Sequence, residues 1–169
     1  VKPQAAQAIA ALREAGISKT AMLTGDSAAM SQKIAAEVGI DDVHAELLPD
    51  EKVSALETIA ASAEKGTLIY TGDGINDAPV LARADVGVAM GGLGSDAAIE
   101  AADIVIMDDD PRKITDAIQI SKRTMRIVKQ NIVFALGVKF AVLLLGIFGV
   151  ATMWEAVFAD VGVSVIAIL

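Results

Sequence analysis

Thr71-Gly72-Asp73-Gly74-Ile75-Asn76-Asp77-Ala78-Pro79 follows directly on a strand-like run, Thr67-Leu68-Ile69-Tyr70. Two carboxylates and an amide thus fall on a glycine-flanked turn beyond the carboxyl end of a strand, where open α/β sheets put their chemistry. Gly72 and Gly74 allow a tight bend and close approach to a ligand. Asp73 and Asp77 are hard oxygen donors, suited to Mg²⁺ and to phosphate-bearing groups. Asp-Gly and Asn-Asp are also ordinary turn pairs. A plain turn, however, does not need so long a run in a strand–turn–helix setting.

Two upstream stretches repeat the theme. Thr20-Ala21-Met22-Leu23 reads as a short strand, followed by Thr24-Gly25-Asp26-Ser27 and a helix to about Val38. A polar turn at a helix start offers free N–H groups to an anion, although Asp26 or Ser27 could equally be a plain N-cap. In Leu47-Leu48-Pro49-Asp50-Glu51-Lys52-Val53, Pro49 opens a helix, and Asp50 and Glu51 complement its positive end. Lys52 goes against that dipole, so it is either solvated or facing an anion. Beside two phosphate-type turns, the anion reading is preferred.

This set resembles the phosphorylation domain of P-type ATPases, within the haloacid dehalogenase-like superfamily. The resemblance rests on Thr24-Gly25-Asp26, Pro49 with Lys52, and Thr71 to Pro79. Ala84-Asp85-Val86-Gly87-Val88-Ala89-Met90-Gly91 and Glu100-Ala101-Ala102-Asp103-Ile104-Val105 add to it. It implies that Asp73, with Asp77, helps hold Mg²⁺, and that Asn76 and Asp77 order the phosphoryl site. It also implies that Lys52 places its ammonium on a phosphoryl oxygen, and that Thr24, Gly25 and Asp26 belong to the same site. Such roles suit phosphoryl transfer from ATP, which is catalysed mainly by positioning and charge stabilisation. The family's nucleophilic aspartate lies in an Asp-Lys-Thr-Gly-Thr stretch, and no such stretch occurs in these 169 residues. The expectation is a piece of a longer pump, whose remainder supplies the nucleophile, the nucleotide domain and a Cys-Pro-Cys helix.

Charge divides the chain in two. The overall balance is −8; residues 1–110 carry 19 acidic and 7 basic side chains, whereas residues 111–169 carry 3 acidic and 7 basic. An acidic lobe followed by a basic and then apolar segment is the profile of a membrane-attached domain. The acidity argues against a nucleic-acid partner. The absence of cysteine excludes disulfides and thiolate metal sites within this stretch. Through the lobe, helices are expected at 4–15, 27–38, 50–64, 77–83 and 96–102. Strands are expected at 20–23, 43–45, 67–71, 86–89 and 104–107. This alternation predicts an α/β, Rossmann-like parallel sheet covered on both faces. Asp108-Asp109-Asp110 could suggest a metal site, but capping a helix at Pro111 is the preferred reading. For His44, the one histidine, a surface or packing role is expected.

From 111 to 130, isoleucines alternate with Lys113, Lys122, Arg123, Arg126 and Lys129, predicting a basic amphipathic stalk helix. It leads into a transmembrane helix over 131–153, where the 22 residues from Ile132 to Met153 carry one charge, Lys139. That length and apolarity fit a bilayer span, and the cationic flank is the positive-inside signal. Glu155 marks an expected short turn, with the start of a last, truncated transmembrane helix at 156–169. The lobe is therefore expected in the cytoplasm, on an integral protein surrounded by lipid, with a bacterial plasma membrane implied.

Lys139 and Asp160 are ionisable groups inside apolar segments, each costing roughly 2.5–3.5 kcal/mol at mid-helix. Opposite signs on adjacent helices suggest pairing. Snorkelling is the alternative for Lys139, which lies roughly 12 Å past Asn131 at the helical rise. Gly137-Val138-Lys139 and Phe158-Ala159-Asp160-Val161-Gly162-Val163-Ser164 resemble the zinc, cadmium and lead branch of the heavy-metal (type IB) P-type ATPases. Copper-type and cobalt-type patterns are absent. The resemblance implies Asp160 as a ligand of transported Zn²⁺, Cd²⁺ or Pb²⁺, and Lys139 as its counter-ion. A soluble phosphatase of the same superfamily is the alternative, and the apolar stretch after 130 speaks against it.

Overall fold

The computed structural model describes residues 4–62, 66–72, 74–91, 96–108, 110–149 and 153–168; at 75, 153, 156, 160, 164, 167 and 168 it describes the backbone alone. The chain forms two compact units, Val1–Ala117 and Ile118–Leu169.

The first unit alternates helix and strand. In chain order come α1 (Ala5–Glu14), β1 (Ala21–Leu23), α2 (Ala28–Val38), β2 (Asp42–His44), α3 (Pro49–Ser62) and β3 (Ile69–Gly72). A 3₁₀ turn at Ile75–Asp77 leads into α4 (Ala78–Arg83), followed by β4 (Val86–Met90), α5 (Asp96–Ala101) and β5 (Ile104–Ile106). All pairings are parallel, as the alternation predicts. Among the described residues they form two ladders: β1 with β2, and β3–β4–β5 with β4 in the middle.

The sequence explains this placement. β4 is the most buried of the described strands, with Val88, Ala89 and Met90 all buried in it, as central position in a parallel sheet requires. Val80 and Leu81 of α4 are essentially inaccessible. Burying side chains of this size contributes about 1.5–3 kcal/mol each, so α4 is fixed against its strand. That matters because α4 starts where the turn carrying Asp77 ends. Polar contacts reinforce the strand ends: Asp85 accepts the Leu68 N–H at 2.8 Å and Asp103 the Gly87 N–H at 2.9 Å.

The second unit is helical. α6 (Lys113–Ile147) begins within the first unit and runs unbroken for 35 residues. At 1.5 Å per residue it is about 52 Å long, well beyond a hydrocarbon thickness of about 30 Å. Its apolar stretch makes it, among the described residues, the one helix long and apolar enough to cross a membrane. The expected apolar helix reaching Met153 is corrected here, because α6 stops at Ile147. Gly149 has φ +71, a left-handed conformation that glycine adopts without steric cost and that commonly terminates helices. Glu155 accordingly lies not in a turn but inside α7 (Met153–Val157). A π-helical turn, Phe158–Gly162, joins α7 to α8 (Val163–Ile168).

Candidate phosphate and metal-ion site

Lys52 sits in the first turn of α3, and the start of that helix is locally determined. Pro49 occupies the first helical position, while Glu51 Oε2 accepts the Leu48 N–H at 2.8 Å, one half of a capping box. From there Lys52 Nζ donates to Asp77 Oδ1 at 2.8 Å. The side chains are only 17% and 12% exposed, so this pair is largely removed from solvent. Removing one partner of such a pair leaves a buried charge uncompensated, at a cost of about 3–5 kcal/mol. The anion that Lys52 faces here is Asp77.

A third group converges on the same oxygen. Tyr70 Oη donates to Asp77 Oδ1 at 2.9 Å. The backbone brings these groups together at a glycine. A Cβ on Gly72 would lie 2.7 Å from the Asp77 Cβ and 2.9 Å from Oδ2, so only glycine lets β3 pass beneath the carboxylate. The Asp77 N–H is in turn fixed to the Gly74 carbonyl at 3.0 Å. Oδ1 is thus held by two donors, and Oδ2 is directed toward the Gly72–Gly74 turn. Asn76 is exposed on the same turn. Asp73 lies outside the described residues.

The Thr24–Asp26 turn is organised separately. The Thr24 N–H donates to the His44 carbonyl at 3.0 Å, and the Leu47 N–H to the Thr24 carbonyl at 3.0 Å. Glu46 closes the stitch: its N–H reaches the Asp26 carbonyl at 2.9 Å and its carboxylate accepts the Ala28 N–H at 3.2 Å. The start of α2 is therefore capped by Glu46 from the neighbouring loop, while Ser27, at the N-cap position, makes no side-chain cap. The Thr24 hydroxyl donates to Asp26 Oδ2 at 3.2 Å and accepts the Asp26 N–H at 3.1 Å. With the Thr24 amide committed to His44, any contact of Thr24 with a ligand falls to that hydroxyl. Gly25 is exposed, and its Cβ position would come within 3.3 Å of the Leu47 carbonyl. Among the described residues, no hydrogen bond or ion pair links Thr24 or Asp26 to the Lys52–Asp77 pair.

Sequence reasoning missed two contributors. Tyr70 was legible in principle, because alternation puts Tyr70 and Gly72 on one face of β3. Glu46 carried no such signal, since it acts across two loops and from a positive φ of 60°.

The other carboxylate groupings are structural. Asp110 accepts both the Arg112 N–H at 3.0 Å and its guanidinium at 2.6 Å. Arg112 holds the Asp110 carboxyl down from 3.8 to about 2. Asp108 pairs with Lys113. Asp110 thus caps the approach to α6, which starts at Lys113 rather than Pro111, and among the described residues no cluster suited to a metal ion occurs. His44 is half-buried, at 3.8 Å from Asp42, in keeping with a packing role. In the helical unit, Lys139 is exposed within this chain, on α6. Asp160 falls in the π-helical turn, and its side chain lies outside the described residues.

The donor chemistry at the β3 turn fits Mg²⁺. A carboxylate oxygen, Asp77 Oδ2, is directed toward Gly72 and Gly74, and hard oxygen donors are what Mg²⁺ selects.

The sequence model of the haloacid dehalogenase-like hydrolase family matches residues 1–85. The chain is 61% identical, over 99% of its length, to a cadmium, zinc and cobalt-transporting ATPase of Bacillus subtilis (strain 168), covering 24% of that protein. It is 56% identical over its full length to a zinc-transporting ATPase of Synechocystis, covering 23% of it. It therefore spans about a quarter of the length of these curated relatives. Its structure matches 27% of a zinc-transporting PIB-type ATPase crystallised in the E2.Pi state, with a TM-score of 0.89 and 36% identity over 99% of this chain. The chain belongs to the haloacid dehalogenase-like hydrolase family and is similar, over essentially its whole length, to the zinc- and cadmium-transporting P-type ATPases.

Proposed function

We propose that this chain is a segment of an ATP-driven exporter of Zn²⁺ or Cd²⁺, with Pb²⁺ a third candidate cargo, working through an aspartyl-phosphate intermediate. The observation that carries the reading is the Lys52–Asp77 pair at the end of β3, in the same chain as a helix long enough to span a bilayer. A soluble phosphatase would have the first feature without the second.

In this reading the remainder of the pump supplies the nucleophilic aspartate, the nucleotide domain and a Cys-Pro-Cys helix. Lys52 lends its fixed positive charge to a phosphoryl oxygen, and Asp77 orients it. Asn76, Gly25 and Thr24 provide hydrogen bonds around the phosphoryl group, the Thr24 hydroxyl turning its one proton from Asp26 Oδ2 to a phosphoryl oxygen while it still accepts the Asp26 N–H. Asp73 and Asp77 are the residues that would hold Mg²⁺, which supplies neutralisation of phosphoryl charge when bound.

The helical unit contributes to the intramembrane metal site. Asp160 is the carboxylate ligand of the transported ion and Lys139 its counter-charge in the empty site. The π-helical turn around Asp160 supports a functional position, because single π turns concentrate at functional sites. A thiolate pair plus a carboxylate suits a borderline-soft divalent ion better than Cu⁺. The basic flank of α6 supports a cytoplasmic lobe, and the bacterial relatives favour a bacterial plasma membrane.

The test is metal-stimulated ATPase activity of the full-length pump. Zn²⁺ and Cd²⁺ should stimulate the parent, and Asp160→Ala should abolish that stimulation while phosphorylation from inorganic phosphate survives. Lys139→Ala should still bind metal but release it poorly, uncoupling binding from turnover. Stimulation by Cu⁺ alone would reject the zinc-type assignment. Failure to form any phosphoenzyme would reject the ATPase reading.

A further inference from the structure

We propose that Tyr70 is a positioning residue of the phosphate site, holding the Asp77 carboxylate in register when Lys52 shifts its charge onto a phosphoryl oxygen. The proposal rests on the ATPase reading above and deepens it. Asp77 is nine-tenths buried, and its described side-chain donors, Lys52 Nζ at 2.8 Å and Tyr70 Oη at 2.9 Å, share Oδ1. They arrive from different elements, the first turn of α3 and the strand β3. Lysine is a flexible point charge that can redirect its three N–H donors. The phenol is a rigid ring on a paired strand, with one O–H to give.

Turnover places a demand that the pair alone does not meet. As Lys52 turns toward a phosphoryl oxygen, Asp77 Oδ1 loses part of its cationic partner in a site with little water to replace it. A buried carboxylate short of donors is costly, and turning toward other donors relieves that cost. Here reorientation would move Oδ2 off the Gly72–Gly74 turn, toward which it is directed. Tyr70 prevents this, because its hydroxyl stays on Oδ1 whichever way Lys52 points. Alternation along β3 fixes the geometry: Tyr70 and Gly72 share a face, one supplying the donor and the other the space beneath the carboxylate.

Tyr70→Phe in the full-length pump isolates the hydroxyl, since the ring remains, and Tyr70→Leu removes the ring as well. Two readouts apply. The first is equilibrium binding of orthovanadate, followed by protection from proteolysis without turnover. The second is phosphoenzyme formed from inorganic phosphate as Mg²⁺ is varied. A hydrogen bond to a charged group sets the scale: Tyr70→Phe should weaken orthovanadate binding and raise the half-saturating Mg²⁺ by about tenfold. KM for ATP should be unchanged. If Tyr70→Phe matches the parent and only Tyr70→Leu is impaired, Tyr70 merely packs and the proposal is overturned. It is equally overturned if Tyr70→Phe weakens ATP and orthovanadate alike, the mark of a general loss of structure. A parent that forms no phosphoenzyme and binds no orthovanadate takes down the ATPase reading and this proposal with it.

Discussion

At the residue scale, two aspartates show how environment divides like groups. Asp77 is buried and holds Lys52 and Tyr70 on one oxygen. Asp110 is paired with Arg112 beside the start of α6, and the guanidinium holds its carboxyl at about 2. A carboxyl-¹³C titration should therefore place the Asp110 midpoint near 2, and Arg112→Ala, which keeps the backbone N–H and Lys113, should raise it part of the way toward the ordinary carboxylate range. Because the folded value is depressed, the pair's small contribution to stability is present above the unfolded value of 3.8 and is lost as pH falls through about 2. A midpoint unmoved by Arg112→Ala would show that another group sets it. The acidic run before Pro111 reads as a cap, and Asp110 behaves as one. The choice between cap and metal site depended on where Arg112 and Lys113 pointed, which composition does not encode.

At the scale of elements, helix–strand contacts are tight enough to be tested one atom at a time. A Cβ on Gly87 of β4 would meet the Leu81 carbonyl oxygen at 2.6 Å and its carbon at 3.1 Å, backbone atoms with no rotamer to yield. Gly87→Ala should destabilise the first unit by about 1–3 kcal/mol through overpacking, read as a lowered urea midpoint. An unchanged midpoint would mean that α4 has slack against β4. Strand and helix positions were legible from hydrophobic period and turn residues, and observed boundaries fall within a residue or two of those expected. The end of α6 was not legible. Val-Leu-Leu-Leu-Gly-Ile-Phe-Gly-Val reads as one apolar run, and the positive φ of Gly149 is what ends the helix before Met153.

At the scale of the whole molecule, the chain carries the Lys52–Asp77 pair and a long apolar helix, without an Asp-Lys-Thr-Gly-Thr stretch, which the proposed reading needs as its nucleophile. The 169-residue chain alone should therefore form no acyl-phosphate and show no ATP hydrolysis in a phosphate-release assay. Turnover that disappears with Asp73→Asn would overturn the view that its partners in catalysis lie elsewhere in a longer pump. The Lys52–Asp77 contact is already made in this chain, so the missing nucleophile, not a misplaced lysine, is what should silence it.

The sequence by itself determined the fold class, the glycine-and-carboxylate turn after a strand, and the division into an acidic lobe and a basic-flanked apolar segment. Each is written in local pattern: glycine and carboxylate spacing after a strand, the period of apolar residues, the sign of charge along the chain. Tertiary structure alone decided which groups meet. It put Lys52 and Tyr70 on one oxygen of Asp77, and capped α2 with Glu46 from a neighbouring loop. It also paired β3, β4 and β5 in parallel with β4 in the middle. These contacts join residues as far as 25 positions apart, as Lys52 and Asp77 are. They depend on how helices pack on strands, and side-chain burial across the fold sets that packing, not the order of neighbouring residues.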